Sequence, residues 1–232
     1  MKQLITTGII TLSIGLAGPV LAGAVDWETD KYHGTCTSGA GNACTFNEYD
    51  YTLTARAYSS KYNSGSGAFK EATLIRFGGG LGVRNPDDWN EGRSPQHALD
   101  NSGKDEMIVF ENNASGYSFT GFDIGWRYND SDIYAWVGTL ASDYDFTGKR
   151  FSDLAGLGFT RSSFSNVPTD TTQSLESGVG NYLILAPRGS NDYVKINGIS
   201  GNIPTQVSEP GMLALFGIAL VGFWANMRRG TS

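Results

Sequence analysis

The side chains best suited to chemistry crowd into one stretch. Between positions 85 and 105 lie Asn85, Asp87, Asp88, Glu91, His97, Asp100, Asn101 and Asp105. Calcium takes six to eight oxygens from carboxylates and backbone carbonyls, and an acidic loop can supply them. Asp100, Asn101 and Asp105 are the candidate ligands. Their spacing is not that of an EF-hand, which needs glycine at its sixth position and a closing glutamate. "DYDFTG" at 143–148 is a similar fragment. Asx turns and solvated carboxylates account for both stretches without an ion.

His97 is one of only 2 histidines and invites a general-base reading. A Ser-His-Asp set needs a positioned nucleophile, and no G-x-S-x-G elbow occurs. The pattern "RSPQHALDNSG" predicts a short helical turn, with Ser94 as cap, Pro95 at its first position and Gly103 at its exit. On that turn His97 is expected to lock the loop through local hydrogen bonds. A carboxylate pair for glycoside hydrolysis meets in space rather than in sequence. With no nucleophile–base set to name, the chain reads as a non-enzyme, and a secreted glycan hydrolase is the least favoured reading.

Aromatic residues give a stronger lead to binding. In "DIYAWVGT" (132–139), Tyr134 and Trp136 share one face while Ile133, Ala135 and Val137 share the other. With the aliphatic face inward, Tyr134 and Trp136 would form a platform for a sugar ring, and Trp89 in the acidic loop could do the same. If both faces are covered, these rings are core.

These residues need strands to hold them, and the chain has the patterning. In "YDYTLTARAYS", Tyr49, Tyr51, Leu53, Ala55 and Ala57 alternate with polar residues. Segments 72–77, 107–112, 117–126, 132–139, 182–187 and 192–200 also read as strands, separated by Gly, Asn, Asp and Ser clusters. With 31 glycines and 17% charged residues, the prediction is an all-β, β-sandwich or jelly-roll-like single domain over 25–200. The formal charge of −6 argues against a nucleic-acid partner, since phosphate contacts need a Lys/Arg surface.

The two ends read differently from the middle. Residues 1–24 carry Lys2, an apolar stretch from Leu4 to Leu16, and Ala22-Gly23-Ala24 as a cleavage site, the pattern of a secretory signal peptide. Export to an oxidising compartment makes Cys36 and Cys44 a disulfide across a short flexible loop. Residues 201–206 read as a linker, followed by "VSEPGMLALFGIALVGFWANMRRG" at 207–230. From Pro210 to Met227 no charge occurs, which is about the shortest run able to span a hydrocarbon core of about 30 Å. Arg228 and Arg229 would keep the C-terminus on the cytoplasmic side.

That tail resembles the PEP-CTERM sorting domain, in which Pro-Glu-Pro precedes a membrane helix and an Arg-rich end. Glu209 and Pro210 match the motif, and Ser208 stands where the first proline usually is. "FGGGLGVRNPDDWNEGRSPQHALDNSGKDEMIVFE" (77–111) is similar to the central region of exosortase-dependent surface proteins. The resemblance implies an exported protein, held at the inner membrane before an exosortase processes it, then moved to the cell surface or extracellular matrix. It implies a structural or adhesive role in an exopolysaccharide layer and supplies no catalytic activity. A calcium-assisted carbohydrate-binding module is the alternative reading.

Overall fold

The computed structural model describes residues 24–48, 50–60, 66–87, 95, 97–114, 116–176 and 179–203. The predicted signal peptide apart from Ala24, Trp89, and the sorting tail with Ser208, Glu209, Pro210, Arg228 and Arg229 lie outside these residues. Among the described residues no helix is long and apolar enough to cross a membrane.

In chain order the strands are β1 (Ala24–Glu28), β2 (Thr35–Cys36), β3 (Ala43–Glu48), β4 (Tyr51–Ser60), β5 (Phe69–Glu71), β6 (Thr73–Phe77), β7 (Gly80–Arg84) and β8 (Leu99–Asp100). They continue as β9 (Glu106–Asn112), β10 (Ser118–Asn129), β11 (Ile133–Gly138), β12 (Thr160–Phe164), β13 (Gln173–Ser174), β14 (Tyr182–Pro187) and β15 (Asp192–Asn202). Between β11 and β12 sits one 3-10 turn, Phe151–Asp153. The strands form two antiparallel sheets, so the fold is all-β and sandwich-like.

One sheet runs β13-β10-β15-β7-β6, with β1 and β8 also pairing β15. The other runs β12-β11-β14-β9-β4-β3-β2, with β5 pairing β4. Their inner faces share one core. Phe119, Phe122, Ile124, Val194 and Ile196 from the first sheet join Leu53, Ala55, Ile108, Phe110 and Leu183 from the second. Leu53, Ala55 and Ala57 fall on the buried side of β4, as their alternation predicts.

The second sheet is also covered on its outer face. Tyr58, Met107, Val109, Trp136, Tyr182, Ile184 and Ala186 pack beneath Phe146, Leu154 and Phe159 of the β11–β12 connection. This explains why β9 and β14 read as unbroken apolar runs, "MIVF" and "YLILA", rather than alternating ones. A strand buried on both faces has no side left for polar residues.

Two local predictions change. No α-helix occurs among the described residues of 94–103, where Leu99–Asp100 instead pairs with Tyr193 and Val194 of β15. His97 just before it has φ 53°, and its carbonyl lies against Gly82, where a Cβ would meet that oxygen. Such a left-handed residue ends helical continuation and turns the chain into the sheet edge. β15 also runs to Asn202, beyond the expected domain end at 200, because Gly201 and Asn202 pair with Val25 and Ala24.

Cys36 and Cys44 form a disulfide and sit directly opposite each other in the β2–β3 ladder. With a sequence separation of 8, closing this loop contributes about 2.5 kcal/mol in the chain-entropy picture. The bonded cysteines leave no thiolate for a metal, and nearby His33 is engaged through Nδ1 with Asp30 at 2.8 Å and Glu28 at 3.2 Å.

Candidate functional site

β11 has the facing that its sequence predicts. Ile133, Ala135 and Val137 enter the inter-sheet core, which turns Tyr134 and Trp136 to the outer face. The two rings do not form a flat open platform, however. Trp136 is only 5% exposed, with Phe151 stacked on it at 5.4 Å and 23° between planes. Tyr134 leans against Trp136 at 5.4 Å and 57°. The Arg161 guanidinium lies 4.5 Å from the Tyr134 ring centroid, and that of Arg188 lies 5.8 Å away.

These side chains border a cleft of about 580 Å³. Its apolar wall is Tyr134, Trp136 and Phe151. The polar part of its lining includes Arg161, Arg188, Ser152, Asn101 and Asp105. Strand register explains the meeting of distant residues. Trp136 opposes Arg161 across β11–β12, and Tyr134 opposes Ala186 across β11–β14, two positions before Arg188.

The two cations differ in their engagement. Arg188 donates through Nη1 to Ser165 Oγ at 3.0 Å, and its Nη2 lies 3.9 Å from Asp132 Oδ2. Arg161 is exposed, lies over Tyr134, and has no carboxylate partner among the described residues. The ring's quadrupole attracts the guanidinium above it without consuming its N–H donors.

Behind the cleft, Asp130, Asp132 and Asp192 bring carboxylate oxygens within 4.8 Å of one another. Asp192 is fully buried. It accepts hydrogen bonds from the Asp132 backbone N–H at 2.7 Å and from Asn101 Nδ2 at 3.0 Å. Its own N–H donates to Asn101 Oδ1 at 3.0 Å. Asp130 Oδ1 accepts from the Ser131 N–H, and Asp132 Oδ1 from the Asn166 N–H, both at 2.8 Å. Burial pushes the Asp192 carboxyl up to about 6; its two hydrogen bonds pull the other way, and the charges of Asp130 and Asp132 add to the rise. This group ties the β10–β11 turn to the β14–β15 hairpin.

The calcium candidates from the sequence turn to different partners. Asp100 Oδ1 accepts the Ser102 N–H at 2.9 Å, an Asx turn. Asn101 is committed to Asp192, and Asp105 faces the cleft. In "DYDFTG", Asp145 accepts the Thr147 N–H at 2.8 Å, Asp143 pairs with Arg56, and Phe146 is core. His97 stacks on Phe77 at 6.1 Å with planes 10° apart. Burial lowers its pKa, and the nearby charges of Arg84 and Lys195 lower it further.

No protein-family model, curated protein or solved structure matches this chain. Its chemistry is therefore read from the cleft itself. The sequence picked out Tyr134 and Trp136 but not Phe151, Arg161 or Arg188, nor the Asp130–Asp132–Asp192 group. "TRSSF" does carry a signal: it is a short polar–aromatic stretch that pairs as an edge strand, which puts Arg161 beside Trp136.

Proposed function

We propose that this chain is an exported, non-enzymatic surface protein that binds glycan within an extracellular polysaccharide layer. The cleft at Tyr134 carries the reading. Its volume of about 580 Å³ falls within the range of about 300–1,000 Å³ typical of small-ligand sites. An aromatic wall beside guanidinium, hydroxyl and amide groups suits sugars, which present apolar C–H faces and hydroxyl edges. A jelly-roll-like sandwich is also a common lectin scaffold.

The rest of the reading concerns address. The Ala22-Gly23-Ala24 site would release the domain from its signal peptide, and the Cys36–Cys44 disulfide suits an oxidising compartment. The uncharged apolar run 210–227 would hold the chain at the inner membrane, where an exosortase would read Ser208-Glu209-Pro210 with Arg228 and Arg229. Binding would not need calcium, because the cleft carries its own cations.

The test uses the full chain, purified in mild detergent, on immobilised exopolysaccharide from the producing cells, with calcium and with chelator. Retention in both conditions, lost on Tyr134→Ala with unchanged far-UV circular dichroism and a cooperative urea melt, is the expected result. An intact chain that passes through unretained in both conditions refutes glycan binding. Retention that chelator abolishes would move the site to a bridging cation.

A further inference from the structure

We infer that the ligand of this cleft is a carboxylated sugar, a uronate unit whose carboxylate docks on Arg161. The inference rests on the glycan reading above and specifies its substrate class. A neutral sugar stacks best on an uncovered ring, but Arg161 lies 4.5 Å over Tyr134, and Trp136 is sealed by Phe151. What the cleft offers instead is a guanidinium 4.5 Å over an aromatic face. A guanidinium recognises a planar carboxylate through two parallel N–H···O bonds, a geometry that a lysine cannot reproduce.

The surrounding charges bear this out. Arg188 contributes a second guanidinium on the same ring, partly offset by Asp132 at 3.9 Å. Asp105 is the acidic side chain that lines the cleft. With Arg161 lacking a carboxylate partner among the described residues, the described part of the lining carries two cations, Arg161 and Arg188, and one acidic side chain, Asp105. This excess stands out on a chain of formal charge −6, whose average field repels polyanions. Binding of an acidic polymer must therefore be local and geometric, with the Ser152 hydroxyl in the same lining to meet a hydroxyl of the sugar.

The experiment measures retention of the full chain on immobilised polygalacturonate and alginate. The same polymers with methyl-esterified carboxyls, dextran, and poly-glutamate serve as comparison arms. The expected result is retention on at least one polyuronate, weakened at least tenfold by esterification and at least tenfold by Arg161→Ala. Arg161→Lys should recover little of it, and Arg84→Ala, on another sheet, should change nothing. Because Arg161 is exposed, its removal leaves the fold intact, which circular dichroism checks.

Each other outcome overturns the inference in a recognisable way. Equal retention on dextran or on the esters, still lost on Tyr134→Ala, keeps the glycan reading and removes the carboxylate. Equal retention on poly-glutamate means that the cleft reads charge and not sugar. No retention on either polyuronate, with the cells' own exopolysaccharide still bound, removes the uronate alone. No retention on any polymer removes both readings.

Discussion

Burying Asp192 should leave a measurable mark on how stability depends on pH. The carboxyl is fully buried and its pKa is raised to about 6 from 3.8. That rise corresponds to about 3 kcal/mol. Below about pH 4 the group is protonated in both the folded and unfolded states. Between about pH 4 and 6 the unfolded chain gives up the proton first, so the folded state binds more protons and stability falls as pH rises. Above about pH 6 the folded state carries a buried charge and the loss is complete. The side chain's stabilising contribution is thus fully present below pH 4 and gone above pH 6. Comparing urea unfolding of the wild type with Asp192→Asn from pH 3.5 to 7.5 separates this contribution from those of Asp30, Asp123 and Asp145, which are present in both proteins. The advantage of wild type over the variant should shrink by about 3 kcal/mol across that range. Parallel curves, or an advantage that grows with pH, would refute the argument.

Two further predictions test how the sheets are covered. Phe146 meets Tyr58, Tyr144, Phe159 and Tyr182 at centroid distances of 4.9 to 6.1 Å, so Phe146→Ala should cost about 3–5 kcal/mol in urea unfolding. A loss below about 1 kcal/mol would mean that the β11–β12 connection is a dispensable flap rather than a packed layer. The Tyr117 hydroxyl is buried against Gly201 without a hydrogen-bond partner among the described residues, so Tyr117→Phe should leave stability unchanged or raise it by up to about 2 kcal/mol. A drop of more than about 1 kcal/mol in thermal or urea melts would contradict that account.

The alternation of β4 and β11 was legible because each of those strands has one face in the inter-sheet core and one less constrained face. The third layer was not. Residues 139–159 cover the outer face without periodicity, and the only hint was the unbroken apolar character of β9 and β14. At 94–103, Ser, Pro and Gly placed as in a helix gave way to two residues of pairing with β15. Local capping chemistry is worth about 1 kcal/mol, which a sheet edge and a buried Leu99 outweigh. The cleft was half legible for the same reason. Tyr134 and Trp136 announce themselves by facing, whereas Arg161 and Arg188 reach them only through the register of β11 with β12 and β14. The carboxylates of Asp130, Asp132 and Asp192 converge across more than sixty positions of chain, which no local spacing encodes.

β15 has a mechanical consequence. It is paired along its length with β10 on one side and successively with β8, β7 and β1 on the other. Ala24 at one end of the described chain lies opposite Asn202 at the other. A pull entering at Ile203 is therefore directed along the strand with the most neighbours in its sheet. Its hydrogen bonds resist such a pull together, in shear, instead of opening one after another like a zip. A pull along β15 would have to break those pairings together before the strand slid free.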